Sequence, residues 1–267
     1  MGSLPNKLFG DYGDEKVAQS TKIGSLPLGI RMVLPDGREY VHAKAGASAL
    51  VAGCLYEGAA GEANTTFIKS LAVSAASAAA TSVVVTKAAG TTLVADVYAD
   101  GYIFFSAGSS SGSVYKVKSH TGVASTAAGT VTVSFTENDK LAEGLAAGTT
   151  TAGMRKNLYD SVVITTNDTV SVNALAGVPP RDVTEAYYCW LQKKGYAACL
   201  TDNTTLIVGV PVTASSTVAG AIGVENITLA GTAWAATALV HKGIHSIGYC
   251  VSVAASAEYS LIDLDLP

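Results

Sequence analysis

The sequence predicts an all-β protein, made of small β-barrel or sandwich modules with an extended N-terminal arm. Three observations carry that prediction. Short runs rich in Val, Thr, Ile and Tyr recur along the chain with period two, the repeat of a pleated strand. Gly, Ser, Asn and Asp punctuate these runs at the spacing that turns require. One stretch alone reads as a short helix, Asp139–Leu145 with Asn138 as its cap.

Residues 1–25 are polar, carry Pro5 and several Gly, and show neither a helical nor a strand period. A segment with so few apolar residues cannot fold alone, so ordering it requires docking, with a neighbouring subunit as the natural platform. From residue 26 the pattern turns strand-like. Gly29–Val33 and Arg38–His42 flank Pro35-Asp36-Gly37, a hairpin signal. Ala49–Tyr56 follows as an apolar run that reads as a buried strand.

A Gly/Ala/Asn break near residue 60 opens a second module. Its expected strands are Ser82–Thr86, Tyr102–Ser106, Val114–Ser119, Thr130–Phe135, Val162–Thr166 and Thr169–Val172. Val114–Lys118 alternates, with Tyr115 and Val117 on one face and Lys116 and Lys118 on the other. Thr130–Phe135 points Val131, Val133 and Phe135 inward in the same way. The alanine run Ala75–Ala80 is read as extended, because Val83-Val84-Val85 follows at once. Pro179-Pro180 suits a linker.

Beyond that pair lies Tyr187–Leu200, the densest cluster of large side chains in the chain. It reads as a hairpin turning at Lys193-Lys194-Gly195, whose first arm has large residues on both faces and is therefore central and covered. Trp190 is expected in the core and Trp234, in Gly231-Thr-Ala-Trp, at the periphery. Leu206–Val212, Val218–Val224, Ile227–Leu229, Ile247–Ala254 and Tyr259–Leu266 are further strands. Two long apolar strands, Ala49–Tyr56 and the Trp190 strand, each need two covered faces, whereas the middle module alternates and covers itself. The expected organisation is therefore an arm (1–25) and a discontinuous β-domain (26–60 and 178–267) into which residues 61–177 are inserted as a barrel or sandwich.

Charged residues make up 14% of the chain and the net charge is −4, which argues against a nucleic-acid partner. No apolar run approaches the roughly 18 residues of a membrane span, and Met1–Lys16 lacks the apolar segment of a signal peptide. Four sequons, at Asn64, Asn167, Asn203 and Asn226, are what chance gives in a chain so rich in Ser and Thr. So little charge on so large a chain fits surface hidden in an assembly.

Candidate chemistry is sparse. Cys189 and Cys199 flank the expected turn and could face one another, but without a secretion signal reduced, buried thiols are the better reading. His241 and His245 are spaced like a helical metal pair in a segment that is not helical. Asp263 and Asp265 share one side of the last strand and read as a solvated edge. Gly108-Ser-Ser-Ser-Gly112 has no Lys or helix to make it a phosphate cradle, and reads as a hairpin loop. No catalytic, cofactor-binding or metal-ligating residue is assigned, and no cofactor is expected.

Several segments do resemble a known family. Asp100–Phe104, Gly112–His120, Val41–Gly53, the Tyr187–Gln192 run and Ala254–Ile262 are similar to modules of tailed-bacteriophage head decoration, or cement, proteins. The resemblance covers nearly the whole chain after about residue 20; Lys193-Lys194 replaces the aromatic or small residue usual after the Gln of that run. It implies a non-enzymatic structural protein of the virion, on the outer capsid surface, assembled in the host cytoplasm. The partner it implies is the major capsid protein, and the chain itself is expected as a homo-oligomer, a trimer matching local threefold axes, with neither nucleic acid nor membrane as partner. The alternative is a head-fibre or receptor-binding module, whose loops would carry aromatic residues for glycans. A small-β hydrolase is the third reading.

Overall fold

The computed structural model describes residues 7–59, 70–90, 92–124, 126–166, 174–202, 206–224 and 246–267. Strands dominate, and the fold is all-β, as expected. In chain order they are β1 (Lys7–Phe9), β2 (Arg31–Val33), β3 (Glu39–Lys44), β4 (Tyr56–Glu57), β5 (Leu71–Val73), β6 (Ser82–Lys87), β7 (Tyr102–Ala107), β8 (Val114–His120) and β9 (Gly129–Phe135). Then come β10 (Thr151–Arg155), β11 (Val163–Ile164), β12 (Leu175–Gly177), β13 (Tyr188–Leu200), β14 (Pro211–Ala214), β15 (Ile222–Val224), β16 (Gly248–Ser252) and β17 (Tyr259–Asp265). Among the described residues, helical backbone is limited to two single 3-10 turns, Asp14–Lys16 and Ile23–Ser25.

The chain divides into two compact units, Met1–Ala59 with Leu158–Pro267, and Ala60–Asn157. The second is a closed six-stranded barrel in the order β10-β5-β6-β9-β8-β7. Its inward positions follow the alternation legible in the sequence: Val83, Val85, Ile103, Phe105, Tyr115, Val117, Val131, Val133 and Phe135 are all buried. Tyr115 stacks on Phe135 at 4.8 Å and meets Phe105 edge-on at 5.9 Å. Lys87 is buried too, its ammonium donating to the carbonyls of Ala88 and Ala127 at 2.9 Å each. His120 accepts the Tyr98 N–H on Nε2 and sits 3.0 Å from the Thr121 carbonyl through Nδ1, so Nδ1 carries the proton.

The helix expected over Asp139–Leu145 is absent. Asn138 adopts a left-handed conformation (φ 69°) that cannot cap a helix. The backbone pairs instead with the Ala76–Ala80 segment: Leu141 N–H meets the Ala80 carbonyl and Leu145 N–H the Ala76 carbonyl. Leu141 and Leu145 thereby plug the barrel core.

The first unit, called the outer unit because its two segments flank the barrel in sequence, holds an eight-stranded sheet in the order β1-β2-β3-β13-β17-β16-β14-β15 and a small sheet β11-β4-β12. The hairpin around Asp36-Gly37 forms as read, with Gly37 at φ 85° and β2 antiparallel to β3. The domain limits differ from the 61–177 expectation. Residues 158–177 belong to the outer unit, where β11 and β12 pair with the two edges of β4. Pro179-Pro180 is not a linker: Val178 bridges Gln192, and the Pro179 carbonyl accepts the Gly53 N–H.

Ala49–Tyr56 is not one strand. Gly53 turns it with φ 72°, and its N–H groups go to separate acceptors, Leu50 to Val183, Gly53 to Pro179 and Leu55 to Gly220. The described part of the expected arm lies on its own chain. Lys7–Phe9 adds a parallel strand beside β2, and Gln19 bridges Tyr188. Thr169–Val172, Ile227–Leu229 and Trp234 lie outside the described residues.

The largest departure is β13. Tyr188–Leu200 is one continuous strand, not a hairpin. Its first half pairs with β3 (Trp190 opposite His42, Leu191 opposite Val41), and its second half pairs with β17 (Tyr196 opposite Asp263, Ala198 opposite Leu261). A bulge between Gln192 and Lys194 marks the change of partner, and Gly195 sits there at φ 84°. The positive φ read as a turn belongs to the bulge. The first half is nonetheless central and covered on both faces. Trp190 packs with Met32, Leu34 and Tyr40 under the N-terminal segment, while Cys189 and Leu191 pack with Val41, Leu50, Tyr56 and Ala176.

Candidate functional site

The bulge in β13 is built by one side chain. Gln192 Nε2 lies 3.1, 3.2 and 2.9 Å from the carbonyl oxygens of Lys194, Gly195 and Tyr196, clasping the distorted backbone from within. Its Oε1 accepts the Tyr40 hydroxyl at 3.3 Å, and that hydroxyl accepts Arg38 Nη1 at 2.9 Å. Burial pushes the Tyr40 phenol up to about 12, so it stays a donor throughout the neutral range. The chain Arg38–Tyr40–Gln192 fixes the strand where its partner changes.

Just beyond this clasp the outer unit opens into a cleft of about 640 Å³. Its floor is small-residue backbone: Gly53, Ala197 and Ala198, with Val178, Pro179 and Pro180 beside them. Tyr196 and Tyr259 line it, and both rings are substantially exposed, at 57% and 48%. Gly53 is required here, because a Cβ at that position would stand 2.6 Å from Cδ1 and Cε1 of Tyr259 and 2.9 Å from the Ala198 carbonyl oxygen. Tyr259 therefore lies against bare backbone on one side and open space on the other.

Four charged residues line the cleft, Glu15, Lys16, Arg38 and Asp182, and their formal charges cancel. Each carboxylate is anchored: Glu15 accepts the Gly13 N–H at 2.6 Å and Asp182 accepts the Ala52 N–H at 2.8 Å. Arg38 uses Nε on Asp36 at 2.7 Å and Nη1 on Tyr40. The 3-10 turn Asp14–Lys16 carries Glu15 and Lys16 to the rim, and the Lys16 carbonyl is held by Arg181. The result is a preformed, charge-balanced groove with aromatic side chains, of the size that small ligands occupy.

The sheet continues outward from the cleft. Tyr196 stands opposite Asp263, which stands opposite Tyr249 on the next strand, and Tyr249 is 55% exposed. β17 alternates strictly, exposing Tyr259, Leu261, Asp263 and Asp265 while burying Ser260, Ile262 and Leu264. Asp263 and Asp265 do share one exposed side, but not on a sheet edge, since β17 runs between β13 and β16. Lys194 pairs with Asp265 at 3.7 Å.

Of the other sequence candidates, Cys189 and Cys199 lie ten positions apart along one strand and pack in different core clusters. Both are free and buried, as are Cys54 and Cys250, and burial pushes the Cys189 and Cys199 thiols up to about 12. Gly108–Gly112 joins β7 to β8 as a hairpin loop. His241, His245 and the four sequon asparagines lie outside the described residues. Among the described residues, no three His, Cys, Asp or Glu converge as metal ligands would.

Sequence reasoning missed the cleft. The signal was present in the alternation of Tyr259-Ser-Leu-Ile-Asp-Leu-Asp, which puts Tyr259 on the exposed side. Tyr196, Tyr249 and Tyr259 are strand residues, and all three face solvent. Compared with known proteins, the chain matches no family model, no curated protein and no solved structure.

Proposed function

We propose that this chain is a structural virion protein that binds the outer surface of a phage capsid and stabilises its lattice, acting as a homotrimer on the major capsid protein. The observation that carries the reading, beside the resemblance of the sequence, is the outer edge of β1. Phe9 is 90% exposed there and Tyr12 63%, and β1 ends the eight-stranded sheet with its outer edge unpaired among the described residues. An open strand edge beside bare aromatic rings is a liability in a lone subunit and a natural contact in an assembly. The low charge content of 14% points the same way.

The test is addition of purified protein to capsids stripped of it, read by co-sedimentation and by capsid survival on heating. The protein is expected to bind to saturation and raise the temperature of capsid failure. Phe9→Asp, at an exposed site that leaves the fold intact, is expected to weaken binding by about tenfold. Failure of the unmodified protein to bind sinks the capsid role, and a monomer mass by light scattering at micromolar concentration sinks the trimer.

A further inference from the structure

We propose that the cleft between Tyr196 and Tyr259 binds a neutral oligosaccharide. Two exposed tyrosine rings flank a floor made by the backbone of Gly53 and Ala197 and the exposed methyl of Ala198, the Ala197 methyl pointing into the core on the other face. Such a floor lets a flat ligand approach the backbone, and the rings offer π-faces to its C–H surfaces. Tyr259 is fixed for this by Gly53, whose lack of a side chain lets the ring lie against the turn.

The polar groups select the ligand class. A polyanion needs an excess of cations and a basic peptide an excess of carboxylates, but here Lys16 and Arg38 face Glu15 and Asp182 with no net charge. A ligand that carries no charge yet both donates and accepts fits that lining, and sugar hydroxyls do both. The carboxylates accept, the cations donate, and neither has to give up a counter-charge. Glu15, Asp182 and Arg38 are already tied to Gly13, Ala52, Asp36 and Tyr40, so these three are held in place before a ligand arrives.

The geometry gives the site length. Tyr196 and Tyr259 are separated by four residue steps along the β13–β17 ladder, about 13 Å. Tyr249 lies two strands across from Tyr196, about 10 Å away, with Asp263 between them on the same exposed face. Three rings spaced in this way suit a chain of several sugar units better than a single monosaccharide. The inference does not depend on the capsid role, and the test separates the two.

The experiment is an array of neutral, sialylated and sulfated glycans probed with the full-length protein, with Tyr196→Ala/Tyr259→Ala and with Ala198→Trp, which fills the floor. Both variants alter exposed residues, and unchanged thermal unfolding confirms that they fold. The expected result is signal on neutral oligosaccharides that falls about tenfold or more in both variants, while capsid co-sedimentation is unchanged. The proposal is overturned by a blank array for the unmodified protein, by signal that survives in both variants, or by binding confined to acidic glycans. A blank array together with loss of capsid binding in the variants reassigns the cleft to the capsid contact.

Discussion

Replacing Lys193 by Met should make the outer unit more stable. Lys193 is buried beside the β13 bulge, and among the described residues its ammonium makes long contacts, 3.4 Å to the Tyr159 hydroxyl and 3.4 Å to the Leu175 carbonyl, with the Tyr159 ring 5.7 Å away. Burial, with a smaller contribution from the Arg31 charge, pushes its pKa down from 10.5 to about 8. A lowering of about 2.5 pH units at about 1.36 kcal/mol each corresponds to a penalty of about 3 kcal/mol for keeping the charge inside at neutral pH. The long hydrogen bonds and the ring contact offset about 1 kcal/mol of that. Methionine fills similar volume without a charge, so Lys193→Met is expected to gain about 2 kcal/mol and raise the unit's melting temperature by about 4–8 °C. The sign follows from proton binding. Between about pH 8 and 10.5 the unfolded lysine holds a proton that the folded one has shed, so wild-type stability rises with pH across that window. The gap between variant and wild type is largest and flat below about pH 8 and closes toward 10.5. Urea denaturation followed by Trp190 fluorescence reports on this unit, since residues 60–157 contain no Trp. A variant less stable than wild type at pH 7, or a gap that does not shrink between pH 8 and 10.5, refutes the reasoning.

Trp190→Ala removes a buried ring packed on Met32, Leu34 and Tyr40 and should cost about 3–5 kcal/mol, measured by the same denaturation. The four thiols should resist a disulfide-exchange reagent at pH 8 in the folded protein and all react once it is unfolded without reductant. Fewer than four reactive thiols after unfolding would reveal a bridge and contradict the four free thiols of the fold.

What the sequence disclosed were features decided by neighbours along the chain. The Asp36-Gly37 hairpin and the inward faces of β8 and β9 depend on local turn chemistry and period two, and they form as read. What it concealed were features decided by distant partners. Lys193-Lys194-Gly195 carries the same positive-φ glycine whether the strand reverses or bulges. The choice is made by Gln192, whose amide clasps the bulge and whose oxygen meets Tyr40, 152 positions away. The Asp139–Leu145 segment has a helix-like composition, but the open carbonyls of Ala76 and Ala80 take its N–H groups first. The cleft was hidden for the same reason, because Glu15, Arg38, Asp182 and Tyr259 come from four separate stretches of chain.

The fold and the cleft have a common origin in β13. Over its first half the strand is buried on both faces, one covered by Leu8, Ile23, Leu26 and their neighbours from the N-terminal segment. Over its second half only one face is covered, by Ile222, Ile247, Ile262 and Leu264, while Tyr196 and Ala198 remain open to solvent. Glu15 and Lys16, from that same N-terminal segment, stand at the margin of the bare half and become one wall of the groove. A strand covered throughout would gain more apolar burial, so leaving tyrosines bare beside Ala198 forgoes stability on the order of 1 kcal/mol or more per ring. Around β13 the forgone stability falls on one exposed sheet face, where Tyr259, Tyr196 and Tyr249 stand on neighbouring strands. Isolated exposed rings need no explanation, but a strip on a rigid sheet, ending in a preformed cleft, is what a recognition surface requires.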